Sequence, residues 1–154
     1  MLCFPNPELK VSELSVYYGS KCAVNNVSFQ THAGQLTAII GSNGCGKTTL
    51  IKAMMNLKHH KGECRLNDLT LEKISVRKRA GLISYIPQRN GISISMTVMD
   101  VCLLGFNPQL HILGSYTPDM KNNAKTAIDA VGLAGLYDTD FLTLSEGQKQ
   151  LCIL

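Results

Sequence analysis

Gly41-Ser42-Asn43-Gly44-Cys45-Gly46-Lys47-Thr48 decides the reading of this 154-residue chain. The stretch fits GxxxxGK[ST], and its flanks supply the context such a string needs. Ahead of it, Leu36-Thr37-Ala38-Ile39-Ile40 lies between Gly34 and Gly41 as a continuous run, which predicts a strand buried on both faces of a parallel sheet. Behind it, Leu50, Ala53, Met54 and Leu57 recur at i, i+3, i+4 and i+7, which predicts an amphipathic helix. Between strand and helix the glycines permit a tight loop whose backbone N–H groups converge, and the positive end of the helix dipole points to the same place. Such a nest suits phosphate. Lys47 would neutralise the β- and γ-phosphates of a nucleoside triphosphate and the Thr48 hydroxyl would ligate Mg²⁺, with Gly41, Ser42, Asn43, Gly44, Cys45, Gly46 and Thr49 around the phosphates. A ligand-free strand-to-helix turn is the competing reading of the same glycines. Cys45 stands beside a helix N-terminus and Lys47, an electropositive setting that favours a reactive thiol.

Working outward, Val11 to Tyr18 and Cys22 to Phe29 read as two strands joined at Gly19-Ser20, and so as an antiparallel pair. Cys64 to Leu66 and Leu82 to Ile86 read as further strands, with a short polar helix between them at 75–79. Beyond Pro87 the pattern turns helical. Thr97 is placed to cap a helix running to about Leu104, and Thr117-Pro118 to open another that buries Ala124, Ala127, Ile128 and Val131 and ends at Gly132. These alternations give an α/β chain.

Composition bounds the function. Apolar residues make up 45% and charged residues 17%, which is a globular balance. The net charge of +4 comes from scattered residues, and the one tight basic run, Arg77-Lys78-Arg79, reads as a solvated helix face, so no nucleic-acid partner is expected. Cysteines at 3, 22, 45, 64, 102 and 152 form no CxxC, and no His is placed by spacing to complete a zinc site with them; reduced thiols are expected. No apolar run approaches the roughly 20 residues that cross a bilayer. The N-terminal residues carry no signal-peptide pattern.

Leu144-Ser145-Glu146-Gly147-Gln148 narrows the class. Ser145 can cap a helix, and Gln148 three residues later can complete a capping box. The segment resembles the LSGGQ signature of ATP-binding cassette (ABC) proteins, with Glu146 in place of the first of two glycines. Gln88, in Tyr85-Ile86-Pro87-Gln88, resembles the family's Q-loop glutamine, and Tyr18, before Gly19, resembles the aromatic that stacks on adenine, although Tyr17 is an alternative. The resemblance implies a P-loop NTPase (RecA-like) core with an antiparallel β subdomain and an inserted helical subdomain, dividing as 9–92, 93–143 and 144–154. It also implies ATP and Mg²⁺ as ligands, Lys47 and Gln88 in catalysis, Thr48 and Gln88 at the metal, and Ser145, Gly147 and Gln148 closing on ATP held by a second subunit.

Thr97-Val98, Leu103-Leu104-Gly105-Phe106-Asn107-Pro108 and Val131-Gly132-Leu133 resemble the importer ATPases for iron(III)-siderophores, haem and vitamin B12, with Phe106 where Arg is common. Transmembrane permease subunits, a second ATPase subunit and, indirectly, an extracytoplasmic solute-binding protein are the partners implied, at the cytoplasmic face of the plasma membrane. Relatives continue into a strand ending in Asp-Glu and a switch histidine. These are not among the 154 residues. The fold is therefore expected to be incomplete at the C-terminus, and this chain alone to be inactive in hydrolysis. The rivals are a non-hydrolysing remnant and a soluble cassette protein acting on ribosomes or DNA; the spacing from Lys47 to Ser145 leaves the latter no room for a long coiled coil.

Overall fold

Val11, Leu14 and Val16 of strand β1 (Glu8–Tyr18) supply the centre of the first core. The computed structural model describes residues 6–87, 91–111 and 114–154, in two compact units, one ending at Ile83 and the other beginning at Ser84. In the first unit, β1 turns through Gly19 (φ 59°) into antiparallel β2 (Lys21–His32). Strand β3 (Lys61–Leu66) pairs with the other side of β1, and β4 (Leu69–Thr70) with β3, giving the order β2-β1-β3-β4. Both hairpin strands are longer than the sequence pattern suggested.

The spacing 11, 14, 16 breaks strict alternation because β1 is bulged. Glu13 takes a φ of 51°, and the pairing register shifts between Val11 and Leu14. The extra residue keeps all three apolar side chains on one face. Helix α1 (Lys47–Met54) packs Leu50, Ala53 and Met54 against them. Burial of each large aliphatic side chain contributes about 1.5–3 kcal/mol. Leu57 falls outside α1 and is exposed.

The expected parallel strand at 36–40 is not formed. Leu36 and Ile40 are 99% and 91% exposed, and only Ile39 reaches the core. A parallel strand is buried by ladder partners and by helices on both faces, and among the described residues the four strands pair only with one another. Residues 82–86 likewise form no strand, although Leu82 and Ile83 touch the core. Helix α2 (Val76–Ala80) lies where the short polar helix was expected, and Ser75 caps it. Its basic triplet is not wholly solvated, however. Arg79 is buried, and its Nη1 donates to the carbonyls of Leu71 (3.0 Å) and Ile74 (3.5 Å), which satisfies the charge while the stem covers apolar surface.

The second unit is helical. Thr97 and Asp100 form a capping box that opens α3 (Val98–Leu103). Thr117 caps α4 (Pro118–Ala130) with Pro118 in its first turn. That helix stops at Gly132 (φ 78°), and Leu133 N–H reaches back to Ile128 O at 3.1 Å, a left-handed cap only glycine adopts cheaply. Its buried stripe is narrower than expected: Ala124 and Ile128 are buried, Val131 is half-buried and Ala127 is exposed. Helix α5 (Glu146–Ile153) brings Cys152 to Val98, Val101, Ile128, Leu133, Phe141 and Leu144, so the segment opening at Leu144 shares the core of the helical unit. Cys102 and Cys152, distant in sequence, place their sulfurs 3.8 Å apart. Among the described residues no helix is long and apolar enough to cross a membrane.

Candidate phosphate-binding and signature sites

The glycine segment wraps at the mouth of α1. Gly44 and Gly46 have φ of 81° and 101°, and Gly46 is the N-cap with no side-chain cap, so the first N–H groups of α1 are left for a ligand. A Cβ on Gly46 would lie 2.4 Å from the carbonyl oxygen of Ala23 in β2, so the loop is seated against the hairpin at a distance only glycine permits. Cys45 N–H donates to Ser42 O at 3.3 Å and closes the turn.

Lys47 folds back over this loop. Its Nζ donates to the carbonyls of Gly41 (2.7 Å) and Ser42 (2.8 Å), with Cys45 Sγ at 3.9 Å. An ammonium has three donors. Two are held by backbone, and the third faces only a weak sulfur acceptor, which a phosphate oxygen can outcompete. Ser42, Asn43, Gly44, Cys45 and Thr48 are exposed, while Lys47 and Thr49 are half-buried. A cavity of about 240 Å³ opens beside them, lined by Ala23, Val24, Ile39, Cys45, Gly46 and Lys47 among others.

The hairpin delivers one of its two candidate tyrosines to this place. Tyr18 Oη lies 3.5 Å from Thr49 Oγ1 in α1, and the ring is half exposed. Tyr17, one residue earlier and therefore on the opposite face of the strand, is hydrogen-bonded to Cys22, which raises its phenol above the ordinary value, and it faces His59 and Lys61 instead. One contact near Tyr18 had no signal in the sequence: Lys58 Nζ stands 4.1 Å from the ring centroid, on one face. Gln88 lies outside the described residues.

Ser145 is exposed at the start of α5 in a complete capping box. Its Oγ accepts from Gln148 N–H (3.3 Å), and Gln148 Oε1 accepts from Ser145 N–H (3.0 Å). Gly147 has open space where a Cβ would stand, and Lys149 pairs with Glu146 at 2.9 Å. The turn before it is pinned by Asp140, whose carboxylate accepts from Ser95 Oγ (2.6 Å) and Leu142 N–H (2.8 Å), bonds that hold it below the usual carboxyl range. Ser145→Ala is expected to cost about 1 kcal/mol, lowering the midpoint of thermal unfolding by roughly 2–4 °C. Ser145→Thr keeps the cap and should move it less. Circular dichroism melts of the two variants check this.

A family model described as ABC transporter matches residues 24–154. The chain belongs to the ABC transporter family. Curated relatives include the manganese transport system ATP-binding protein MntB of Listeria monocytogenes, 35% identical over 145 residues that cover 92% of this chain and 58% of the relative. The iron(3+)-hydroxamate import ATP-binding protein FhuC of Bacillus subtilis is 28% identical, with 92% and 53% covered. The hemin import ATP-binding protein HmuV of Rhizobium etli is 30% identical, with 92% and 53% covered. The chain thus spans somewhat more than half the length of these ABC relatives. In fold it is similar to the ATP-binding cassette MJ1267 of an ABC transporter in its ADP conformation, with a TM-score of 0.79 at 24% identity, covering 96% of this chain and 62% of that one.

Proposed function

We propose that this chain forms the ATP-binding part of an ABC importer ATPase, and that residues 41–48 with Lys47 hold the triphosphate. The observation that carries the proposal is the wrapped glycine loop at an uncapped helix N-terminus, with the Lys47 ammonium pinned over it by two carbonyls and one donor to spare. The loop amides and Lys47 bind phosphate oxygens by charge-assisted hydrogen bonds. Thr48 offers its hydroxyl to Mg²⁺, a cation that keeps much of its water and takes oxygen ligands. Tyr18 offers the ring face away from Lys58 to the adenine. Gln88 is proposed to act at the same metal and in hydrolysis.

Ser145, Gly147 and Gln148 are proposed to cover ATP held by a second ATPase subunit. In support, Ser145 and Gly147 are exposed at a helix N-terminus whose dipole favours an anion. The importer reading adds permease subunits, a solute-binding protein and a peripheral place at the cytoplasmic membrane face. It rests on the family and on relatives named for manganese, iron-hydroxamate and hemin. A metal or metal-chelate cargo, of which iron-siderophore, haem and cobalamin are the classes the sequence suggested, is the finer part of the proposal. Neighbouring reading frames for a polytopic permease and a solute-binding protein are expected; their absence would count against import.

Cys45 supplies the direct test of nucleotide binding. Its exposed sulfur sits inside the phosphate loop, so saturating Mg-ATP is expected to slow its labelling by a maleimide at least ~10-fold, as for a site about 90% occupied or more. Cys22, also exposed but outside the loop, should label at an unchanged rate. Mass spectrometry of the labelled peptides reads both. Equal Cys45 rates with and without nucleotide would refute the proposed site.

A further inference from the structure

His60, Cys64 and Glu72 converge on one point of the first unit, away from the phosphate loop. One ligand atom from each, a ring nitrogen, Sγ and a carboxylate oxygen, all lie within 4.8 Å of one another. This corrects the expectation from spacing that no histidine accompanies a cysteine as a possible zinc ligand. We propose that these three side chains form a binding site for a borderline divalent transition metal of the zinc type.

Three independent features point the groups at a cation. First, His60 is oriented as a ligand. Its side chain is 2% exposed, and its Nδ1 lies 2.9 Å from the Lys58 carbonyl, the arrangement that fixes Nδ1–H as donor and turns Nε2 inward. Second, Glu72 holds an orphan. Its Oε1 accepts the Cys64 backbone N–H at 3.0 Å and lies 2.8 Å from His60 Nε2, while its Oε2 is buried with no hydrogen-bond partner. An unpaired buried carboxylate oxygen costs on the order of 1–3 kcal/mol or more, and a cation bound through both oxygens would remove that cost. Third, Cys64 is fully buried, and its sulfur makes no hydrogen bond among the described residues.

The charges favour this donor set. A divalent ion with one thiolate, one carboxylate and a neutral imidazole is electrically neutral, which is what an interior tolerates. Nitrogen, sulfur and oxygen ligands together suit zinc and its neighbours rather than magnesium or calcium. Without metal, burial first, then Glu72 and Glu63, push the Cys64 thiol up to about 12; a coordinated metal would displace that proton. Binding breaks the S–H bond and the His60–Glu72 hydrogen bond and forms bonds from the metal to sulfur, nitrogen and oxygen. The displaced protons pass to solvent. A cavity of about 310 Å³ lined by Ser15, Tyr17, His59, His60 and Lys61 opens beside His60. The metal would tie β3 to the turn at Leu71–Lys73.

The test uses the whole 154-residue chain with zinc and with cobalt(II) as a spectroscopic probe. Expected are one zinc retained per folded chain at equimolar addition, and a cobalt spectrum with a thiolate charge-transfer band and tetrahedral ligand-field bands. His60→Gln and Glu72→Gln should each abolish stoichiometric retention while far-ultraviolet circular dichroism stays as in the parent, so the reading does not depend on whether Cys64→Ser folds. No zinc retained by the folded parent would overturn the site and leave His60 and Glu72 as a plain ion pair. So would retention unchanged in both variants, which would place the metal on exposed thiols, or a cobalt spectrum lacking the thiolate band.

Discussion

Lys47→Ala is expected to weaken Mg-ATP binding about 100-fold, the ~3 kcal/mol that losing a charge-assisted phosphate contact and its loop anchors would cost. The anchors matter because Lys47 Nζ bridges the carbonyls of Gly41 and Ser42 and so fixes the loop before any ligand arrives. Alanine removes the cation and releases both carbonyls together. Lys47→Arg is expected to fall between, since a planar guanidinium keeps the charge but cannot reproduce three tetrahedral donors at this distance. Titration with a fluorescent ATP analogue measures all three chains. Affinity in Lys47→Ala within about threefold of the parent would remove the lysine from the site.

Gly62→Ala is expected to be among the most damaging single methyls in the first unit. Gly62 has a φ of 92°, and a Cβ there would stand 2.5 Å from Ser12 O and 2.6 Å from Glu13 O. These carbonyls lie at the β1 bulge, where the pairing with β3 shifts register between Ser12 and Ser15, so strand β3 can approach there only where it carries no side chain. Both partners are backbone and neither can swing aside. Strain at a left-handed position costs of order 1–3 kcal/mol, and separating β3 from β1 adds to it. A loss of about 3 kcal/mol or more corresponds to a midpoint lower by roughly 6–12 °C. Denaturant unfolding should show a shifted midpoint; an unshifted one would mean that the bulge relaxes without cost.

Local chemistry was legible from the sequence, and long-range burial was not. Thr97, Thr117, Ser145 and Gly132 each announce a helix end through the bond they make within four or five residues, and each sits where its chemistry required. The hairpin at Gly19 and the wrapped loop at 41–48 belong to the same class. Leu36–Ile40 has the composition of an inner strand, but composition does not provide the neighbouring strands that would pair with it. Arg79 reads as surface because nothing local reveals the carbonyls of Leu71 and Ile74 waiting for it. His60 and Cys64 carried no such signal either: four residues apart, they would stand about 13 Å from one another along an extended run, and Gly62 between them, at a φ of 92°, is not extended. Glu72 joins them only after the β3–β4 turn, which spacing alone did not bring back to them.

The seat of Gly46 on the Ala23 carbonyl has a consequence for how a nucleotide is measured. The loop proposed to meet the phosphates and the hairpin that carries Tyr18 are joined twice, at this close approach and at the Tyr18–Thr49 contact. The span from aromatic ring to loop amides is therefore a built-in ruler rather than a gap to be adjusted. If the proposed nucleotide site holds, a ligand of the right length would find both ends ready and cost the protein little freedom on docking, whereas one shortened or lengthened between base and phosphates would forgo one end.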